Sequence, residues 1–185
     1  MSESPFNTSC IEISAQAIKS NHEYLRKSMG KTVQISAVVK GNAYGHGIGT
    51  YIPLAEKAGY RHFSVFSDEE AGEVKAVCRH DTEILIMGQI SNEGLAWCIQ
   101  EGIGFFVFDF ERLQQSIKLA EKIGQAARIH IELETGMNRT GFRPDQLPEL
   151  ISQLRTHRKL LSFEGLCTHF AGAECVTNYL RIKEQ

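Results

Sequence analysis

The sequence lacks a long hydrophobic run: its longest, such as Phe105-Phe106-Val107-Phe108 and Ile84-Leu85-Ile86-Met87, fall far short of the roughly 20 residues that cross a bilayer as a helix. It also lacks an excess of charge. With 20 Lys+Arg against 22 Asp+Glu in 185 residues the formal net charge is −2, and the basic residues are dispersed, so there is no cationic field for nucleic acid or an anionic membrane. Paired cysteines are missing as well. Cys10, Cys78, Cys98, Cys167 and Cys175 form an odd, scattered set without CxxC spacing or a ligand cluster, which speaks against a disulfide framework or a metal site and for reduced, structural thiols. The start, Met1-Ser2-Glu3-Ser4-Pro5, is acidic and polar where a secretory signal is basic and then apolar, an expectation of a cytoplasmic protein. What is present, 42% hydrophobic and 23% charged residues, is globular composition.

Apolar, β-rich runs recur at Val33–Val39, His62–Phe66, Glu83–Met87, Gly104–Phe108, Ala127–Leu133 and Leu161–Cys167, each followed by a turn signal or a helical pattern. Ser14 is placed to cap a helix with Ile18, Leu25 and Met29 on one face and Gly30 at its end. Ser67-Asp68-Glu69-Glu70 reads as a capping box in which Glu70 reaches back to the cap residue. Asp109 opens a helix whose Leu113, Ile117 and Ala120 share a face and which Gly124 stops. The last eight residues, Asn178 to Gln185, read as a helix without a stop signal. Buried strands alternating with amphipathic helices predict an α/β fold with a parallel sheet. Periodicity leaves two closures open, a doubly wound sheet and a (β/α)8 barrel, and about six strand-helix units are too few to complete the barrel.

One strand delivers a lysine into a glycine-rich turn, Val38-Val39-Lys40-Gly41-Asn42-Ala43-Tyr44-Gly45-His46-Gly47. The C-terminal end of a parallel strand is where α/β folds carry their sites, and an ammonium group beside a buried strand needs pairing or deprotonation. Lys40 is therefore either a Schiff-base lysine with a lowered pKa or a surface lysine that ends a strand. The glycines match neither GxGxxG nor a Walker loop. They leave a flexible strand-to-helix turn where backbone approaches a ligand phosphate.

Lys40-Gly41-Asn42-Ala43-Tyr44-Gly45-His46-Gly47 resembles the cofactor-lysine signature of the alanine racemase family. Glu134-Thr135-Gly136-Met137-Asn138-Arg139-Thr140-Gly141-Phe142 resembles that family's acidic-TGMNR block, and Thr168-His169-Phe170-Ala171 a third motif, all in the family's order. The resemblance implies that residues 1–185 are the N-terminal part of a pyridoxal-phosphate-binding (β/α)8 barrel without the family's C-terminal β domain. It implies Lys40 as the catalytic, cofactor-bearing base, Tyr44 on the cofactor phosphate, Arg139 beside the cofactor's phenolic oxygen and the substrate carboxylate, and His169 lining the ring. On their own, His169 reads as a core or loop histidine and His46 as a turn residue.

Three departures accompany the matches. Gly41 stands where the family usually has alanine, and Glu134 where it has aspartate. Glu132 stands where some racemases carry a carbamylated lysine, so an anion is built in. We expect Glu132 to orient Arg139 through a charge-assisted hydrogen bond; the plainer reading is a solvated or helix-facing glutamate. The implied activity is interconversion of L- and D-alanine by a cytoplasmic homodimer, with weak or no turnover by this chain alone, because the family's second base is a tyrosine of the partner's C-terminal domain. The alternatives are a non-enzymatic pyridoxal-phosphate homeostasis protein of the related single-domain barrel, a decarboxylase sharing the barrel, and a non-catalytic fragment that self-associates.

Overall fold

A computed structural model describes residues 9–173 and 176–185; the Met1–Pro5 segment and Cys175 lie outside the described residues. Six strands, β1 (Ala37–Val38), β2 (His62–Val65), β3 (Glu83–Ile86), β4 (Gly104–Val107), β5 (Ala127–Glu132) and β6 (Leu161–Cys167), follow one another in the sheet in chain order. The ladders β1 with β2, β3 with β4, β4 with β5 and β5 with β6 are all parallel. A doubly wound sheet reverses its strand order at a switch point, whereas sequential order is that of a (β/α)8 barrel. The chain forms two compact units, one ending at Ile84 and one beginning at Leu85.

In the first unit, the helix Ala15–Met29 starts where the Ser14 hydroxyl accepts the Ala17 N–H at 3.2 Å. It ends at Gly30, whose N–H donates to the Arg26 carbonyl. Of the three residues expected on its buried face, Ile18 is buried, Leu25 is half-buried and Met29 is exposed. The helix packs chiefly on the helix Ile48–Ala58. Strand β1 is shorter than the predicted Val33–Val39. The Arg26 guanidinium takes the Val33 carbonyl, so that residue's backbone is committed outside the ladder and its side chain is 44% exposed. Buried Glu56 is satisfied by the Arg79 and His80 N–H groups and the Thr82 hydroxyl. That is how an interior acid is retained.

In the second unit, Phe105, Val107, Ile129 and Ile131 are fully buried along β4 and β5. The helix Phe110–Ile123 covers them with Leu113, Ile117 and Ala120, all buried. Its start is fixed by Asp109 Oδ1, which accepts the Arg112 N–H at 2.7 Å, and its stop by left-handed Gly124. A register shift between Ile129 and His130 lets the β5–β6 ladder step from Phe163 to Gly165. Glu164, passed over by that step, accepts the Ser162 hydroxyl at 2.8 Å and the Arg128 Nε–H at 3.3 Å.

The four described cysteines are free thiols. Cys98 is buried and Cys78 and Cys167 are half-buried, but Cys10 is exposed, against the expectation of burial. Burial pushes the thiols of Cys78 and Cys167 up to about 11 and about 12, with the Glu56 charge adding to the first and the Glu132 charge to the second. Among the described residues no helix is long and apolar enough to cross a membrane.

Candidate active site

Lys40 follows the fully buried Val39 at the C-terminal end of β1 and is itself half-buried. The next four residues do not form a loose turn. Gly41, Asn42, Ala43 and Tyr44 have φ of 62°, 53°, 54° and 54°, one turn of left-handed helix. For the three that are not glycine this conformation costs roughly 1–2 kcal/mol each, and such strain persists only where surrounding structure dictates it.

Several contacts dictate it here. The Ala43 N–H donates to the Val39 carbonyl at 2.7 Å, and the Gly47 N–H to the Asn42 carbonyl at 2.9 Å. Ala43 is buried, and its carbonyl accepts from His46 Nδ1 at 2.7 Å, which gives His46 a turn-holding role. Asn42 Oδ1 accepts the Ile48 N–H at 2.8 Å, capping the helix Ile48–Ala58. Glu70, 29 residues on, accepts the Gly41 N–H at 2.6 Å with one oxygen and the Phe66 N–H at 2.8 Å with the other. The predicted capping box is thus half formed: the Ser67 hydroxyl accepts the Glu70 N–H at 3.3 Å, while the Glu70 carboxylate binds elsewhere than its own cap residue. Tyr44, at the end of the turn, is 63% exposed.

The second unit carries the other candidates. Strand β5 ends at Glu132, 3% exposed and in register with Cys167 of β6. Beyond it the chain loops out and returns at buried Phe142, whose N–H donates to the Glu132 carbonyl at 2.8 Å and whose carbonyl accepts the Glu134 N–H at 3.0 Å. This clamp closes the loop that carries Arg139. Inside it, the Glu134 carboxylate accepts the N–H groups of Gly136 and, at 3.1 Å, Arg139. Backbone donors, Asn138 foremost and then Gly136, hold its carboxyl below the usual carboxylate range. A Cβ on Gly141 would stand 2.5 Å from the Glu134 nitrogen and 2.6 Å from the Leu133 carbonyl carbon, so only glycine lets the clamp close.

Arg139 Nη2 lies 4.0 Å from Glu132 Oε1, with the arginine side chain 53% exposed and the glutamate side chain 4%. That is an ion-pair separation, longer than a hydrogen bond. Glu132 Oε2 is buried without a hydrogen-bond partner. His169 lies in the loop after β6, exposed, and its carbonyl accepts from Gln185 Nε2 at 3.4 Å. The loops after β5 and β6 are joined by the Thr135 and Thr168 hydroxyls, 2.6 Å apart. Lys40 and Tyr44 thus belong to the first unit, and Glu132, Arg139 and His169 to the second. Among the described residues no group of His, Cys, Asp and Glu is arranged to hold a metal ion.

Residues 13–183 match the family described as alanine racemase, N-terminal domain. The chain belongs to this family. It is 34% identical over 165 residues to the alanine racemase of Desulforamulus reducens, a match covering 88% of this chain and 44% of that protein. With the alanine racemase of Methanococcus maripaludis it shares 34% identity over 167 residues, again 88% of this chain and 43% of the relative. Among solved structures, the alanine racemase of Bartonella henselae with covalently bound pyridoxal phosphate superposes with a TM-score of 0.83 at 27% identity, over 93% of this chain and 49% of that one. The chain therefore spans somewhat less than half the length of the curated relatives it matches. Within this alanine racemase N-terminal domain, the three sequence motifs follow the C-terminal ends of β1, β5 and β6. Asn42, Glu70 and the Gly141 clamp were not singled out by sequence as parts of the site. Glu70 carried a signal, its place in a capping box, but that signal points to a partner three residues away.

Proposed function

We propose that this chain is the cofactor-holding portion of a pyridoxal-phosphate-dependent alanine racemase, and that Lys40 is its cofactor-bearing base. The observation that carries this reading is Lys40 at the end of β1, leading into a left-handed turn in a chain of the alanine racemase N-terminal family. The residues present fit the cofactor: a primary amine at a strand end for its aldehyde, an exposed phenol on a fixed turn for its phosphate, and a half-exposed guanidinium for oxygen anions. Pyridoxal phosphate, when bound, supplies the electron-withdrawing ring that makes the Cα proton of an amino acid removable.

The remaining roles fall to the chain's own side chains. Lys40 Nζ would hold the cofactor and would take or return the Cα proton on one face of the substrate. The Tyr44 hydroxyl donates to the phosphate. The Arg139 guanidinium binds the substrate carboxylate as a rigid fork. Glu132 holds Arg139 by charge from a buried position, and His169 lines the ring. Inversion needs a base on each face, and Lys40 is one, so the 185-residue chain alone turns over weakly or not at all. Alanine as substrate, a homodimeric full-length protein and a cytoplasmic location belong to the same reading.

The test is to incubate the purified chain with pyridoxal phosphate, reduce with borohydride and map the added mass. Modification confined to Lys40 supports the reading, and scattered or absent labelling overturns it for this chain. A second reading, self-association through β6, is favoured by the exposure of Phe163 and Leu166 on that strand, 53% and 62%. Sedimentation that finds a stable monomer would exclude it.

A further inference from the structure

We infer that Glu70 is a positioning residue for Lys40, holding the left-handed turn that follows it. The inference rests on the cofactor-bearing role proposed for Lys40. Its geometry, however, stands alone. One carboxylate oxygen accepts the N–H of Gly41, the first left-handed residue after Lys40, at 2.6 Å, and the other accepts the N–H of Phe66, the residue that follows β2, at 2.8 Å.

Both acceptors belong to one side chain fixed at its root, because the Ser67 hydroxyl anchors the Glu70 N–H in the first turn of the helix Asp68–Val77. The chain leaving β1 is thereby tied to the chain leaving β2, whose strands are already in register through Ala37 with Phe63 and Val38 with Ser64. Downstream, the turn is held by Asn42 and His46. At its entry, next to Lys40, the Glu70 carboxylate is the side-chain acceptor.

The chemistry selects a carboxylate. Two converging N–H donors need two acceptor oxygens, and an ionised carboxylate has both. Glutamine offers one oxygen and turns an NH2 group toward the other donor. Loss of the bonds releases Gly41 from a conformation that Asn42, Ala43 and Tyr44 adopt only under constraint. Because Lys40 adjoins Gly41, its backbone loses its fixed direction at the same time.

The experiment compares wild type, Glu70→Ala and Glu70→Gln by amide hydrogen exchange. In parallel it measures pyridoxal phosphate capture on Lys40, relative to exposed Lys57, by borohydride reduction and peptide mapping. In Glu70→Ala, exchange at Gly41 and Phe66 rises about tenfold or more, the scale of a hydrogen bond to a charged acceptor. Capture on Lys40 falls relative to Lys57, and amides of the helix Ile48–Ala58 keep their protection. Glu70→Gln restores protection at one of the two amides and part of the capture. A merely structural loss would instead raise exchange throughout that helix and leave the Lys40 to Lys57 ratio unmoved.

Unchanged exchange at Gly41 in Glu70→Ala overturns the inference, and so does faster exchange with undiminished capture on Lys40. If Glu70→Ala does not fold, Glu70→Gln decides: no change at either amide refutes the role. Failure of the wild-type chain to capture cofactor on Lys40 refutes the proposed function instead, while the exchange at Gly41 still reports whether Glu70 holds the turn.

Discussion

Arg139 and Glu132 stand 4.0 Å apart, one guanidinium half in solvent and one carboxylate almost wholly out of it. The asymmetry separates what the pair does for stability from what it does for binding. Glu132 Oε2 has no hydrogen-bond partner, so the buried charge is incompletely compensated, a situation that neutral replacement often relieves. We expect Glu132→Gln to unfold at an equal or higher temperature than wild type while binding pyridoxal phosphate several-fold more weakly, about the effect of losing one partly exposed ion pair. Thermal unfolding and a cofactor titration on the same preparation check this. Unchanged cofactor affinity would reduce Glu132 to a packing residue.

Gly141 is the position where the clamp around the Arg139 loop admits no side chain. Its φ is +120° and a Cβ would meet backbone at 2.5 Å and 2.6 Å. We expect Gly141→Ala to lower stability by about 2–4 kcal/mol, combining backbone strain with the loss of the Phe142 to Glu134 bond. Gly102, at φ +67° with no neighbouring group within 4 Å of where a Cβ would stand, serves as the control, and alanine there costs about 1 kcal/mol. Denaturant midpoints for the two variants provide the comparison, and equal losses would show that the clamp does not depend on that close approach.

Much of the secondary structure was legible because its signals are local. Ser14 and Gly30, and Asp109 and Gly124, cap the helices they were expected to cap, and six apolar runs became six parallel strands. Lys40 at a strand end was legible too. What sequence could not show are contacts whose partners are distant or whose backbone is unusual. Nothing near Val33 announces that Arg26 will take its carbonyl and shorten β1. Asn42 tolerates the left-handed region, but Ala43 and Tyr44 beside it do not favour it, so a left-handed turn is not read from this run; the constraint comes from buried Ala43 and from Glu70. The sequential strand order likewise settled a choice between barrel and doubly wound winding that periodicity left open.

The Glu134 carboxyl lies below its ordinary value of 4.5 because backbone N–H groups of the loop, Asn138 first, hydrogen-bond its charged form. A folded-state pKa depressed below the unfolded one contributes stability that is present above the unfolded value and is lost as pH falls through the folded value. We therefore expect the loop to loosen below about pH 4.5, seen as accelerated amide exchange at Gly136 and Arg139 in acid. In Glu134→Gln the same amides should exchange faster at neutral pH and show a weaker acid dependence. An acid response identical to that of the wild type would assign it to other carboxylates.

Thiol reactivity separates the described cysteines by environment. The Cys167 thiol, pushed up to about 12 by burial and then by the Glu132 charge, and that of Cys78, at about 11 from burial and Glu56, have almost no thiolate at pH 8, and Cys98 is fully buried. Cys10 is exposed. Because thiolate is the nucleophile, iodoacetamide at pH 8 should alkylate Cys10 ahead of Cys78, Cys98 and Cys167 by at least about tenfold in rate. Raised folded-state values also mean that the stability contributed by the neutral thiols, complete below the ordinary value of 9.0, declines as pH rises above it. Glu132→Gln removes one of the two causes acting on Cys167. Its alkylation at pH 9 to 10 should therefore accelerate in that variant while Cys78 stays unchanged, and peptide mapping of the labelled chain reads both. Equal rates for Cys167 in wild type and variant would show that burial alone, without the Glu132 carboxylate, suppresses the thiolate at the end of β6.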